Sequence, residues 1–167
     1  RFQALRMPTV AAVNGGAAGA GSSLAMSCDI VVAAPAASFI QAFSKIGLIP
    51  DAGGTFLLAH RLGLARATAL AMTGDKLSAA RAKEWGVVWD VAEDCVAAAE
   101  ALAQRLAAMP TQALVRTRHL LRDAMTSSFE AQLQAERDAQ SALANTHDYF
   151  EGVTAFLEKR APVFKGA

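Results

Sequence analysis

The sequence predicts an α/β fold in which a βα core runs to about Val91 and a region built of helices alone follows it. Three features carry that prediction. Short apolar segments, TVAAV at 9–13, IVV at 30–32 and VVWDV at 87–91, read as strands and are separated by helical stretches that end on glycine. From Asp94 onward the chain turns alanine-rich and amphipathic, with no strand pattern left in it. Between these parts, KIGLIPDAGGT at 45–55 sets one carboxylate, Asp51, on a proline-started turn ahead of two glycines and an apolar helix.

With 167 residues, 53% of them hydrophobic, the chain can bury one sizeable core, which favours one domain with its core over 1–91 and its helical region over 92–167. A formal charge of +1, with Lys and Arg scattered among Asp and Glu, gives no electrostatic case for nucleic acid. No window offers the roughly 18 unbroken apolar residues that a membrane span needs. Cys28 and Cys95 stand far apart and form no metal-like spacing, so they read as buried thiols in a reduced, cytoplasmic setting. The opening RFQALRMPTVAAVNGG has no initiator Met and no signal-peptide pattern, and reads as a chain entered partway through a domain.

In order, residues 1–6 look like the tail of a helix stopped by Pro8, because a residue before proline is pushed out of the helical region. The strand at 9–13 ends at Asn14-Gly15. In GGAAGAGSSLAMSCD, glycines 15, 16, 19 and 21 let backbone approach closely, and Ser22 or Ser23 would cap a helix through Leu24 and Met26. After the strand at Ile30 comes a break at Pro35, with 34–39 turning the chain. The helix over FLLAHRLG ends at Gly63, a second stops at Gly74, and a third, capped by Ser78, stops at Gly86. The helical region divides at Pro110, at a capping box from Ser127 to Glu130, and ends before Pro162.

Two stretches carry chemistry. A glycine-rich turn opening a helix aims free N–H groups at one spot and suits an anion, although the same residues also permit a tight strand-to-helix crossing. A dinucleotide fingerprint is not met, since Gly19-Ala20-Gly21 runs into Ser22, Ser23 and Leu24 where a further glycine is needed. Asp51 reads either as a helix cap or as an acid aimed into a cleft. His60, His119 and His147 share no ligand spacing, so no metal is expected, and Asp29 reads as a structural residue at a helix-to-strand junction.

Together, AAVNGGAAGAGSSLAMSCDIVVAA, AFSKIGLIPDAGGTFLLAHRLG and the FLEKR ending resemble the crotonase superfamily of enoyl-CoA hydratases and isomerases, over nearly the whole chain. FSKIGLIPDAGGT followed by LSAARAKEWGVVW is most similar to the ring-1,2-epoxyphenylacetyl-CoA isomerases of phenylacetate breakdown. The resemblance implies a spiral of ββα turns with a helical C-terminal region, and subunits assembling as trimers or dimers of trimers. It also implies that part of the domain, with one oxyanion-hole donor, lies upstream of this chain.

By that resemblance the substrate is an acyl-CoA, with coenzyme A as its carrier and no other cofactor. The N–H of Ala20 would be an oxyanion donor and Asp51 the proton shuttle of a double-bond isomerase or an epoxide ring-opening enzyme. Ser23 and Phe43 occupy the positions of the two hydratase glutamates, which argues against hydration of an enoyl-CoA. Gly16, Ser23 and Phe43 would meet the substrate, Phe43 keeping the site dry. Phe156 and Lys159 match positions that touch the nucleotide end of coenzyme A; as plain residues they read as a core anchor and a solvated charge. Hydrolysis or dehalogenation through Asp51, or an inactive scaffold of the same fold, are the alternatives.

Overall fold

The computed structural model describes residues 2–167. They form two compact units, one over Thr9–Leu102 with residues 2–3, the other over Ala103–Ala167 with Ala4–Pro8. The expected opening helix is a 3-10 turn, Phe2–Ala4, with Arg1 outside the described residues.

The first unit is built by two successive strand–strand–helix turns. β1 (Val10–Val13) and β2 (Gly16–Ala18) go to different sheets, and α1 (Ala20–Ser27) then returns the chain so that β3 (Ile30–Ala33) lies parallel to β1 and β4 (Ser38–Ile40) parallel to β2. The helical return is what lets each new strand run parallel to the one before it. β5 (Lys76–Ser78) adds antiparallel to β4, and β6 (Asp90–Val91) adds parallel to β3, giving orders β1-β3-β6 and β2-β4-β5. Between β4 and β5 lie a 3-10 turn (Ala42–Ile46), α2 (Gly54–Leu62) and α3 (Leu64–Thr73), and α4 (Ala79–Glu84) precedes β6. Met26 of α1, Val31 and Ala33 of β3, Phe39 of β4, Leu58 of α2 and Ala79 of α4 meet in one core. Val32 with Cys95 and Ala99, from α5 (Cys95–Ala107), forms a smaller one.

Three expectations change here. Ser22 and Ser23 are not caps: the helix starts earlier, at Ala20, because Gly19 at φ 54, ψ −125 ends the strand there, and both serines are inside and buried. The stretch 34–39 is not all turn, since Ser38 and Phe39 pair with Gly16 and Ala17. β5 was not expected. By contrast Gly63, Gly74 and Ser78 end or start helices as their chemistry requires, and Ser78 accepts from the N–H of Arg81 at 3.4 Å.

The second unit contains α6 (Thr111–Asp123), α7 (Phe129–Leu143) and α8 (His147–Glu158). The cap of α7 is Ser128, accepting from Ala131 N–H at 3.2 Å, one residue beyond the expected box at Ser127 and Glu130. Arg118 of α6, buried, donates to the carbonyls of Leu5 and Met7 and so fastens Ala4–Pro8 to that helix. The tail after α8 is fastened by carboxylates: Asp148 accepts from the N–H groups of Lys165 and Gly166 at 2.7 and 2.8 Å, and Glu151 from Val163 N–H at 2.7 Å. No helix among the described residues is long and apolar enough to cross a membrane.

Candidate active site

Asp51 sits between the 3-10 turn and α2, on the surface. Its carbonyl accepts from Gly54 N–H at 2.7 Å, and the two residues inside that turn, Ala52 (φ 50) and Gly53 (φ 80), are both left-handed. For alanine this conformation costs on the order of 1 kcal/mol, so the turn is held by what packs against it. The cap reading of Asp51 fails: α2 is preceded by Gly53 and has no side-chain cap. Among the described residues the Asp51 carboxylate has no hydrogen-bond or ion-pair partner. An exposed, unpartnered carboxylate at the mouth of a helix is free to exchange a proton with whatever binds there.

The packing that holds the turn comes from α1. A methyl group on Gly54 would lie 2.7 Å from Ser23 Oγ and 3.1 Å from Pro50 Cβ, so α2 can start this close to α1 only with glycine there. Ser23 and Pro50 therefore both crowd the position of Gly54, three residues after Asp51. Just ahead of α1, the ring of Phe43 lies 3.5 Å from the point where a Cβ of Gly19 would stand. Ala20 opens α1 with no side-chain cap, and its N–H has no acceptor among the described residues. The start of α1 at Ala20, which favours negative charge, and the Asp51 carboxylate are both exposed, and their two elements, α1 and α2, pack together through Ser23 and Gly54.

The other expected residues fall elsewhere. Gly16 begins β2 and lines an open groove of about 450 Å³ with Gly21 and Leu24, a groove that Phe43 and Asp51 do not reach. Ser23 is fully buried, its hydroxyl without a partner. Phe156 is not a core anchor, being 81% exposed, and borders an apolar groove of about 420 Å³ within the second unit. Lys159 ends α8 in the left-handed conformation (φ 54), where its N–H meets Phe156 O while Arg160 N–H meets Ala155 O, the helix-ending pattern that usually employs glycine. His60 stacks on Phe56 at 3.8 Å and His147 lies 3.5 Å from Asp148; among the described residues no cluster suited to a metal ion occurs. Asp29 is structural as expected, accepting from the N–H and hydroxyl of Thr9 at 2.8 and 2.9 Å. Both cysteines are buried and free, and burial pushes the Cys28 thiol upward.

One residue of the site was not read from the sequence. Gln41, 2% exposed, donates from Nε2 to Ser22 Oγ at 3.1 Å. The available signal was a lone amide inside FIQAF, an apolar run in which a buried polar group must find a partner.

The family profile described as enoyl-CoA hydratase/isomerase matches residues 1–167. The 1,2-epoxyphenylacetyl-CoA isomerase of Escherichia coli K12 is 49% identical over 99% of this chain and 64% of its own length. The 2,3-dehydroadipyl-CoA hydratase of the same strain is 39% identical over 99% of this chain and 66% of its own. The crystal structure of an enoyl-CoA hydratase from Polaromonas sp. JS666 superposes with a TM-score of 0.94 at 39% identity, covering 98% of this chain and 65% of that one. The chain thus spans about two-thirds of the length of the proteins it resembles.

Proposed function

The chain belongs to the enoyl-CoA hydratase/isomerase family and has the crotonase fold, and from that premise we propose that it acts on coenzyme A thioesters as an isomerase, with Asp51 as the proton shuttle. One observation carries this reading: Asp51, on the turn that leads into α2, is exposed and without a partner among the described residues; the resemblance of the sequence motifs, which sets Ser23 and Phe43 at the positions of the two hydratase glutamates, supports it.

The chemistry follows from the thioester. A proton beside its carbonyl is weakly acidic, and removing it leaves an enolate whose oxygen needs immediate stabilisation. The N–H of Ala20, fixed at a helix start, supplies that without reorganising. Asp51 takes the proton from one carbon and returns it two carbons away, so the double bond moves and the carboxylate is regenerated. Such a step calls for no redox or metal chemistry and needs a single acid. Phe43 keeps water from the reacting carbons and Ser23 supports the start of α2, while Gly16, in its separate groove, is left out of the reacting site. Phe156 and Lys159 hold the nucleotide end of coenzyme A, in trimers or dimers of trimers whose sedimentation would reveal the assembly.

Replacing Asp51 by Asn and following double-bond migration across a panel of acyl-CoAs tests the assignment. Turnover is expected to fall about 10²–10⁴-fold. Unchanged turnover would refute the role of Asp51, and a released acid or halide as the product would move the chemistry to hydrolysis or dehalogenation.

A further inference from the structure

We propose that Gln41 is a positioning residue: its buried amide locks the first turn of α1, where the enolate oxygen is received, against the turn that carries Asp51. The proposal rests on the enolate reading given above. It goes beyond that reading in naming the group that keeps donor and base in register.

The segment from Ile40 to Phe43 grips the start of α1 at three points. Gly19 N–H donates to Ile40 O at 2.8 Å, Gln41 Nε2 donates to Ser22 Oγ at 3.1 Å, and the Phe43 ring lies against Gly19. These contacts bracket Ala20 on both sides. On its other oxygen side Gln41 faces the second element: Oε1 is 3.8 Å from the Cβ position of Gly54, the residue whose N–H closes the Asp51 turn. The amide thus bonds the first turn of α1 through Nε2, while its Oε1, which has no hydrogen-bond partner, faces the start of α2.

Burial decides between a substrate contact and a positioning role. Gln41 is 2% exposed and Ser22 0%, and Gln41 Oε1 is sealed from solvent, so no ligand atom reaches the pair and any effect on chemistry runs through the backbone they hold. The bond is also shut off from bulk solvent. It borders a void of only about 10 Å³ whose remaining walls, Met26, Phe39, Leu58 and Leu62 among them, are apolar. A hydrogen bond in such surroundings fixes geometry more firmly than a solvated one.

The test uses acetoacetyl-CoA, a 3-ketoacyl thioester whose bound enolate has its own ultraviolet absorbance. The key variant is the double Ser22→Ala/Gln41→Leu, which removes both partners and so leaves no polar group stranded. We expect it to melt close to the wild type and to bind acetoacetyl-CoA, yet to show the enolate band only at higher pH, with kcat reduced about 10–10²-fold and KM within about twofold. A merely structural role would move the melting temperature and leave the pH midpoint of the bound enolate where it was. If the double variant is folded and its midpoint and kcat match the wild type, the positioning role is wrong while the enolate reading stands. If the wild type itself shows no enolate band with the ligand bound, the enolate reading falls and the positioning role falls with it.

Discussion

Within Thr9–Leu102 the side chains of Met26, Val31, Ala33, Ala79 and Val87 are at most 2% exposed, whereas within Ala103–Ala167 the buried residues are Arg118, Ala139, Asp148 and Ala155. Leu121, Phe129, Phe156 and Leu157 of the second unit are 67–81% exposed. The first unit is held by apolar packing and the second to a greater extent by polar clamps, Arg118 on carbonyls and Asp148 and Glu151 on the tail. Each unit also holds one of the two described non-glycine residues at positive φ, Ala52 beside Asp51 and Lys159 near Phe156. The contrast separates two ways of placing a functional group: a strained turn braced by a core, and a helix end braced by charges.

The largest expected effect that sharpens this contrast is Gly54→Ala. The added methyl meets Ser23 Oγ and Pro50 Cβ in a packed wall, which costs roughly 1–3 kcal/mol in urea denaturation. Adding Ser23→Ala should return part of that loss, because the two sites touch. If Gly54→Ala were neutral, the wall would not be the brace of the Asp51 turn.

A matched pair of serines comes next. Ser22→Ala leaves Gln41 Nε2 buried without an acceptor and should cost about 1–3 kcal/mol, while Ser23→Ala removes a hydroxyl that has no partner and should change stability by less than about 0.5 kcal/mol. Equal effects would mean that the hydrogen bond, and not the packing alone, had been misassigned.

In the second unit the expected stability effects are smaller. Lys159→Gly relieves a left-handed side chain at the end of α8, so thermal stability should hold or rise by a fraction of ~1 kcal/mol. Affinity for coenzyme A should fall in the same variant if the lysine is retained for its charge; an unchanged dissociation constant would remove Lys159 from the binding site. The tail should respond to acid alone. The Arg160 guanidinium and the Val163 N–H hold the Glu151 carboxyl at about 2, below its ordinary 4.5. A depressed value means that its contribution is complete above about pH 4.5 and is lost as the pH falls toward about 2. Asp148 has the same sign: burial pushes it up, but the Lys165 and Gly166 N–H groups and His147 outweigh that and lower it. Amide shifts of Val163, Lys165 and Gly166 followed by NMR should therefore titrate in that acid window, and a midpoint near 4.5 for Val163 would contradict the clamp.

Helices were legible where a residue has a single structural use: Gly63, Gly74 and Ser78 stop or start them because of backbone freedom or capping oxygen. β2 and β5 were not, since GAA and KLS carry no β-branched residue and owe their extended form to pairing with β4. The start of α1 was displaced for a related reason, because local capping preference points to the serines while the tertiary demand at Gly19 starts the helix earlier. For the site, Asp51 and the glycine-rich turn stand out as motifs, but their contact through Gly54 and Ser23 depends on how α1 meets α2, which no periodicity encodes. Gln41 was hidden because a polar residue in an apolar run announces a need for a partner without saying which.

The most direct measurement is proton exchange at the carbon beside the thioester. With an unreactive saturated acyl-CoA in D₂O, NMR should show the wild type washing deuterium into that position and Asp51→Asn, equally folded and equally saturated with ligand, slowed about 10²-fold or more. Exchange at the wild-type rate in Asp51→Asn would mean that another group removes the proton and that this carboxylate is a bystander.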